Sequence, residues 1–181
     1  MSRILLIKIY IFLKLIQSIA TSLCFMEYTK CICSNLNTSK IRLECFNEFS
    51  NNTKFPLLEN FYSIGFSYSK IQFSYNDFKK ISNYSFRNLQ VTRLDLTYDK
   101  IEDIEFNAFN GLSNLEILNL NNNRLKKISL NFSSIKNLNE LNLNHNYIQK
   151  IKNNTFYYLN ILSYLYLTNN SIGEIEPDAL K

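Results

Sequence analysis

Few residues of this chain could do chemistry, and their spacing limits what that chemistry is. Four cysteines, Cys24, Cys31, Cys33 and Cys45, form a C-x6-C-x-C-x11-C arrangement. Four thiolates can hold zinc, but Cys-x-Cys departs from the Cys-x2-4-Cys knuckle of structural zinc sites, so two disulfides are the stronger reading. Spacing alone leaves three pairings open. The single histidine, His145, has no motif around it. There is no nucleophile elbow, no H-E-x-x-H and no Gly-rich phosphate loop. An acid pair such as Asp95 with Glu116 could be drawn, but without a pocket-forming element it reads as solvated surface. The sequence therefore predicts no enzyme, no metal and no cofactor. Six N-x-S/T sequons, at Asn37, Asn51, Asn83, Asn131, Asn153 and Asn169, are candidate glycosylation sites in a chain Asn-rich enough for some to arise by chance.

What positions these residues is a repeat. Residues 115–128, LEILNLNNNRLKKI, set Leu115, Leu118, Leu120, Asn123 and Leu125 at spacings of three, two, three and two. An amphipathic helix spaces apolar residues at i, i+3, i+4 and i+7, and a half-buried strand alternates strictly; this pattern does neither. It predicts a very short strand running into an Asn-rich corner. A strand that short buries no core alone, so copies must lie beside it. Val91, Leu94, Leu96, Asp99 and Ile101 repeat it upstream. Leu138, Leu141, Leu143, Asn146 and Ile148, then Leu162, Leu165, Leu167, Asn170 and Ile172, repeat it downstream. A looser copy, Tyr68, Ile71, Phe73, Asn76 and Phe78, comes first. The starts at 68, 91, 115, 138 and 162 are 23, 24, 23 and 24 residues apart.

This is the L-x-x-L-x-L-x-x-N-x-L signature, recurring in phase five times. With its continuation through Ile104, Ala108, Phe109 and Leu112, the chain from about Cys24 onward resembles the leucine-rich repeats of animal extracellular proteins: Toll-like receptors, Slit and the small matrix proteoglycans. The resemblance implies an α/β leucine-rich-repeat solenoid. A curved parallel sheet would form its concave face, with turns and short helical or 3-10 segments on the convex side and a disulfide cap at the N-terminus. It also implies that Cys24 pairs with Cys33 and Cys31 with Cys45. A cap is physically required as well, because the first repeat would otherwise show water an apolar cross-section and an unpaired strand edge. Ile41 and Leu43 are expected at its inward positions.

Taken in order, residues 1–20 are Ile/Leu-rich, acid-free and positively charged, and Ser18-Ile19-Ala20 fits a signal-peptidase site. They read as a secretory signal. Lys8 and Lys14 split the apolar run and disfavour a membrane span. Removing the segment takes away Arg3, Lys8 and Lys14, so the formal charge of +5 becomes +2. That charge, with no Lys/Arg run, is no nucleic-acid footprint. Residues 24–67 read as the cap and 68–181 as five repeats (68–90, 91–114, 115–137, 138–161, 162–181), the last incomplete. The fifth ends with Leu165, Leu167, Ile172, Ile175 and Leu180 short of a neighbour, which predicts edge-to-edge self-association of this stretch. The chain reads as the front part of a longer protein, joined to a membrane only through a later segment.

Within a repeat the fourth, sixth and eleventh positions must face inward, with a Phe column of Phe86, Phe109, Phe132 and Phe156 ending in Leu180. The ninth position, Asn76, Asp99, Asn123, Asn146 and Asn170, makes a structural ladder, weakest at Asp99, which cannot donate when ionised. Function must lie in what remains. The third, fifth and seventh positions face solvent on the concave sheet, grading from basic to amide-lined to aromatic. Lys70, Arg93, Asp95, Asn119, Glu140, Asn142, Tyr164 and Tyr166 are the binding candidates there, Arg and Tyr being the side chains that most often anchor interfaces. The eighth position, at the rim, runs Tyr75, Tyr98, Asn122, His145 and Asn169. Asn83, Asn131 and Asn153 follow the strands and leave the concave sheet free of glycan, whereas glycan at Asn169 would shadow Tyr166. The expected function is an extracellular protein-binding module, as the N-terminal part of a cell-surface receptor or adhesion protein. The alternative is a soluble matrix-type binder, and less so a structural spacer.

Overall fold

The computed structural model describes residues 31–34, 40–46, 67–87 and 89–180. The signal segment, Cys24, Asn37 and the whole stretch 47–66, with Asn51, lie outside these. The repeat unit builds one long sheet. Its strands are β1 (Cys31–Ser34), β2 (Lys40–Phe46), β3 (Ser67–Ser74), β5 (Val91–Thr97), β7 (Ile117–Asn119), β8 (Glu140–Asn142) and β10 (Tyr164–Tyr166), side by side in that order. Between them, on the returning arm, lie two-residue strands: β4 (Lys80–Ile81) beside β6 (Asp103–Ile104), and β9 (Lys150–Ile151) beside β11 (Glu174–Ile175). All pairings are parallel except β1 with β2, an antiparallel hairpin that puts Cys31 opposite Cys45 and Cys33 opposite Leu43. The register then sets Leu43 against Ile71, and Tyr68, Ile71 and Phe73 against Val91, Leu94 and Leu96. Like positions therefore form columns about 4.8 Å apart.

Strand length has a local cause. β3 and β5 run for eight and seven residues, whereas β7, β8 and β10 run for three. In the third and fourth repeats the fifth position is Asn. The Oδ1 of Asn119 accepts from the N–H of Asn121 (3.1 Å), and that of Asn142 accepts from Asn144 (3.0 Å). A side chain that takes its own backbone donor competes with the sheet, and the strand ends early.

Apolar residues of strand and arm meet in one continuous core. Leu94, Leu96, Leu118, Leu120, Leu141 and Leu143 are fully buried from the sheet side. Phe86 stacks on Phe109 at 5.5 Å, and Phe132 packs on Phe156 at 5.8 Å. Burying side chains of this size is worth about 1.5–3 kcal/mol each, and because each rung covers its neighbours the gain accrues along the whole stack. The aromatic column does not continue to Leu180. That side chain is 61 % exposed, and Ala179 fills the inward place instead. No further rung among the described residues lies against Leu180, so nothing draws it in. On the convex side the third repeat carries a single 3-10 turn, Phe132–Ser134, capped by the Asn131 side chain.

Candidate ligand-binding face

The corner that ends each strand is held by the ninth-position side chains. The Oδ1 of Asn123 accepts from the N–H groups of Asp99 (3.2 Å) and Ile101 (2.9 Å) in the preceding repeat, and its Nδ2 donates to the carbonyls of Leu96 (2.7 Å) and Leu120 (3.0 Å). Asn146 and Asn170 repeat three of these four bonds one and two rungs later, each Oδ1 accepting a single backbone N–H, from Leu125 and Ile148. Each amide thus satisfies buried donors and acceptors of two repeats at once. Asp99 breaks the sequence of amides. Its Oδ1 accepts from the backbone N–H (2.9 Å) and Nδ2 (3.0 Å) of Asn76, but its Oδ2 is buried with no hydrogen-bond partner. That oxygen occupies the place from which other rungs donate to carbonyls. Burial pushes the Asp99 carboxyl up from 3.8 to about 7, against the two Asn76 bonds that lower it and with a smaller upward contribution from the Asp95 charge.

On the concave sheet the eight candidates fall into two columns. Lys70, Arg93, Ile117, Glu140 and Tyr164 share one; Gln72, Asp95, Asn119, Asn142 and Tyr166 share the other. The first two rungs are largely self-neutralised. Lys70 Nζ bonds Gln72 and lies 3.7 Å from Asp95 Oδ2, while Asp95 also accepts from Thr97 Oγ1. Asp95 is only 7 % exposed, because those neighbours close over it, so it is less open than its solvent-facing position implied. Arg93 differs. It is half-buried, its Nε is buried with no hydrogen-bond partner, and it makes no ion pair among the described residues. Tyr164 and Tyr166 end the face as nearly parallel rings 6.5 Å apart, both exposed.

One feature of the rim has no counterpart in the sequence reading. The eighth residue of every repeat, Tyr75, Tyr98, Asn122, His145 and Asn169, has a left-handed backbone with φ between 52 and 63°. Asn and His visit this region more readily than most side chains, but Tyr does so at a cost. The tight corner turns the side chains outward, and Tyr75 stacks on Tyr98 at 4.9 Å and 5°. Asn169 Nδ2 lies 3.1 Å from His145 Nε2.

The sequons on the arm divide by what their amides do. Asn83 and Asn153 are exposed, and each Oδ1 accepts from the next repeat, from the N–H of Asn107 (2.8 Å) and of Asp178 (3.0 Å). Their Nδ2 atoms, the atoms a glycan would bond, make no hydrogen bond among the described residues. Asn131 instead uses its Oδ1 on Ser133 within its own turn. Among the described residues, no cluster of His, Cys, Asp and Glu could hold a metal ion, and no helix is long and apolar enough to cross a membrane.

The family model for the leucine rich repeat matches residues 90–135 and 136–181, about half of the chain. Mimecan of Mus musculus is 39 % identical over 105 residues, which is 58 % of this chain and 35 % of that protein. The Mimecans of Bos taurus and Homo sapiens are 36 and 35 % identical over 111 residues, 59 % of this chain and 37 % of each. The chain thus spans little more than a third of the length of the curated relatives it matches. Among solved structures, a chain of the crystal structure of a TLR13–ssRNA13 complex aligns with a TM-score of 0.47 at 24 % identity, over 63 % of this chain and 20 % of that one. Five in-phase repeats, a parallel sheet with its amide corner, and the family match from residue 90 to 181 agree: the chain belongs to the leucine-rich repeat family.

Proposed function

We propose that this module binds another protein on the concave face of its sheet, with Arg93 and the Tyr164/Tyr166 pair as anchors. The observation that carries the reading is Arg93. A half-buried guanidinium with an unsatisfied Nε and no carboxylate partner among the described residues is poised to take one from a ligand, and charge-assisted bonds of this kind are among the strong ones. Its neighbours support it. Lys70 and Asp95 are occupied with each other. Asn119 and Asn142 spend their Oδ1 atoms on their own strands and keep their NH2 groups for a partner. Glu140 stands two rungs from Arg93 across Ile117 and has no ion pair among the described residues, so the column presents a cation, an apolar side chain, an anion and an aromatic in sequence.

The test places a photo-activated cross-linking residue at Ile117 or Tyr166, and as a control at Lys136 outside the concave strands, in the protein secreted from eukaryotic cells and mixed with extracellular matrix and cell-surface fractions. One partner captured from Ile117 and Tyr166 but not Lys136, and lost on Arg93→Glu, is expected. Capture from Lys136 alone, or capture indifferent to Arg93→Glu, overturns the reading.

A further inference from the structure

Beside the concave face, the rim of repeats two to five encloses a shallow cleft of about 360 Å³, at the small end of ligand-cleft volumes, about 300–1,000 Å³. Its walls are the eighth and tenth positions of successive repeats: Tyr98 and Lys100, Asn122 and Arg124, His145 and Tyr147. We propose that this cleft binds an anionic saccharide, its sulfate or carboxylate held by Lys100 and Arg124 and its ring set against the tyrosines.

The charge comes first. Two permanent cations line the cleft and no acid does. Lys100 and Arg124 do have carboxylate partners, Asp77 at 3.3 Å and Glu102 at 3.6 Å, but both belong to the preceding repeat and both pairs are solvent-exposed. Exposed pairs are weak and exchange readily for a better-placed anion. Behind Arg124 the chain continues through Lys126 and Lys127, both exposed and neither in an ion pair among the described residues. The third repeat therefore carries further unspent positive charge two and three residues along the chain from Arg124.

The other walls choose sugar over peptide. No aliphatic side chain lines the cleft, so it offers no apolar pocket for a ligand's aliphatic side chains. It offers aromatic faces and amides instead. Tyr98 is held by its stack on Tyr75, and Tyr147 is more than half exposed. The side chain of Asn122 makes no hydrogen bond among the described residues, so both its NH2 and its C=O remain for hydroxyl groups. The left-handed backbone at Tyr98, Lys100, Asn122 and His145 fixes these side chains outward at the corner before any ligand arrives. Because the same conformation recurs at Tyr75, outside the cleft, it is a means of positioning and not itself the sign of a site. Asn169 closes one end of the cleft and begins a sequon with Ser171; a glycan there would fill the space. Ser171→Ala removes that sequon without changing any lining residue.

The site is independent of the concave reading, and its test is separate. The Ser171→Ala chain, secreted from eukaryotic cells, is titrated at physiological salt with a heparin-derived tetrasaccharide, a hyaluronan tetrasaccharide that carries only carboxylates, and a polyglutamate peptide. Saturable binding of at least one saccharide is expected, and which one binds assigns the anion as sulfate or carboxylate. Lys100→Ala with Arg124→Ala should weaken it at least tenfold and Tyr98→Ala at least threefold. Lys80→Ala with Lys150→Ala, which removes equal charge from the arm, should change it less than twofold, all variants being checked for an unchanged circular-dichroism spectrum. Absence of saturable binding, equal binding of polyglutamate, or an equal loss with the Lys80/Lys150 pair overturns the proposal, the second by identifying an acidic-peptide site and the third by identifying diffuse attraction.

Discussion

Repeats one and two join on the returning arm in the same way as repeats four and five, and the third repeat lacks that lysine–carboxylate contact, meeting the second through Asn131 N–H to the Phe106 carbonyl (3.1 Å) and Ser134 Oγ to Asn110 Oδ1 (2.7 Å) instead. Lys80 reaches Glu105 (2.7 Å) and Asp103 (3.6 Å), as Lys150 reaches Glu176 and Glu174 (both 2.7 Å). The N–H of Asn83 donates to Glu105, and that of Asn153 to Glu176, each at 2.7 Å. Bonded this way, Glu105 and Glu176 are held below the ordinary carboxylate value, first by the lysine hydrogen bond in each case. The third repeat has Lys127 and Ser129 at the corresponding places. Only three residues separate its Ile128 from Phe132, where four separate Ile104 from Phe109. Its arm forms a 3-10 turn instead of a strand. The amide corner at the front continues straight through this irregularity: Asn123 bonds the second repeat and Asn146 the third. The front corner thus sets the period, and the arm is free to vary, because a lost arm contact exposes polar groups to water while a lost corner contact strands them in the core.

That contrast can be broken at its strong side first. Asn123→Ala removes the acceptor of two buried N–H groups and the donor to two buried carbonyls, and should cost at least about 3 kcal/mol in chemical denaturation. A loss below about 1 kcal/mol would show that water replaces the amide and that the corner does not set the period.

The first edge of the same sheet comes next. We propose, from the resemblance of the cap and the opposition of Cys31 to Cys45 in the hairpin, that these two are joined. Peptide mapping of secreted protein should recover that pair, and Cys31→Ser with Cys45→Ser should destabilise the fold by about 2–4 kcal/mol. Recovery of another pairing, or of free thiols, refutes it.

Asp99 is the corner's own weak rung. Unfolded, its carboxyl ionises near 3.8; folded, it holds its proton up to about 7. The folded state therefore binds the extra proton between these values, so stability falls as pH rises from about 4 to about 7 and levels off above that. Asp99→Asn should abolish this slope and, at pH 8, stabilise the protein by about 1–3 kcal/mol by filling the unsatisfied place. Parallel stability–pH curves for the two proteins would mean that Asp99 has found another partner.

The smallest effect belongs to the arm. Lys80→Ala with Lys150→Ala should leave the thermal midpoint within measurement scatter, since both lysines make surface ion pairs open to solvent on one side. A clear drop would make the arm a second determinant of the period.

The fold class was legible because a solenoid repeats its burial rule: Leu118 and Leu120 are inward for the same reason as Leu94 and Leu96, and the spacing states that reason five times. Amide chemistry at Asn123 was legible too, since few other side chains both donate and accept. Less of the binding face could be read. Alternation places Asp95 toward solvent, but only the pairing of β3 with β5 brings Lys70 to it and covers it. Arg93 and Lys70 look alike as cations in sequence, yet Lys70 is neutralised by Asp95, 25 residues away, and Arg93 has no ion pair among the described residues. Leu180 fits the Phe column by count and lies outside it.

The sequence by itself determined the period, the inward columns and the amide corner, because these depend on residue types recurring at fixed spacing. Only the tertiary structure decided which charges are spent, that the eighth residue of every repeat turns left-handed, that Asp99 keeps an oxygen without a partner, and that the rim encloses a cleft. Those features arise between repeats, where side chains some 23 or 24 positions apart meet, and no local spacing encodes the distance between them.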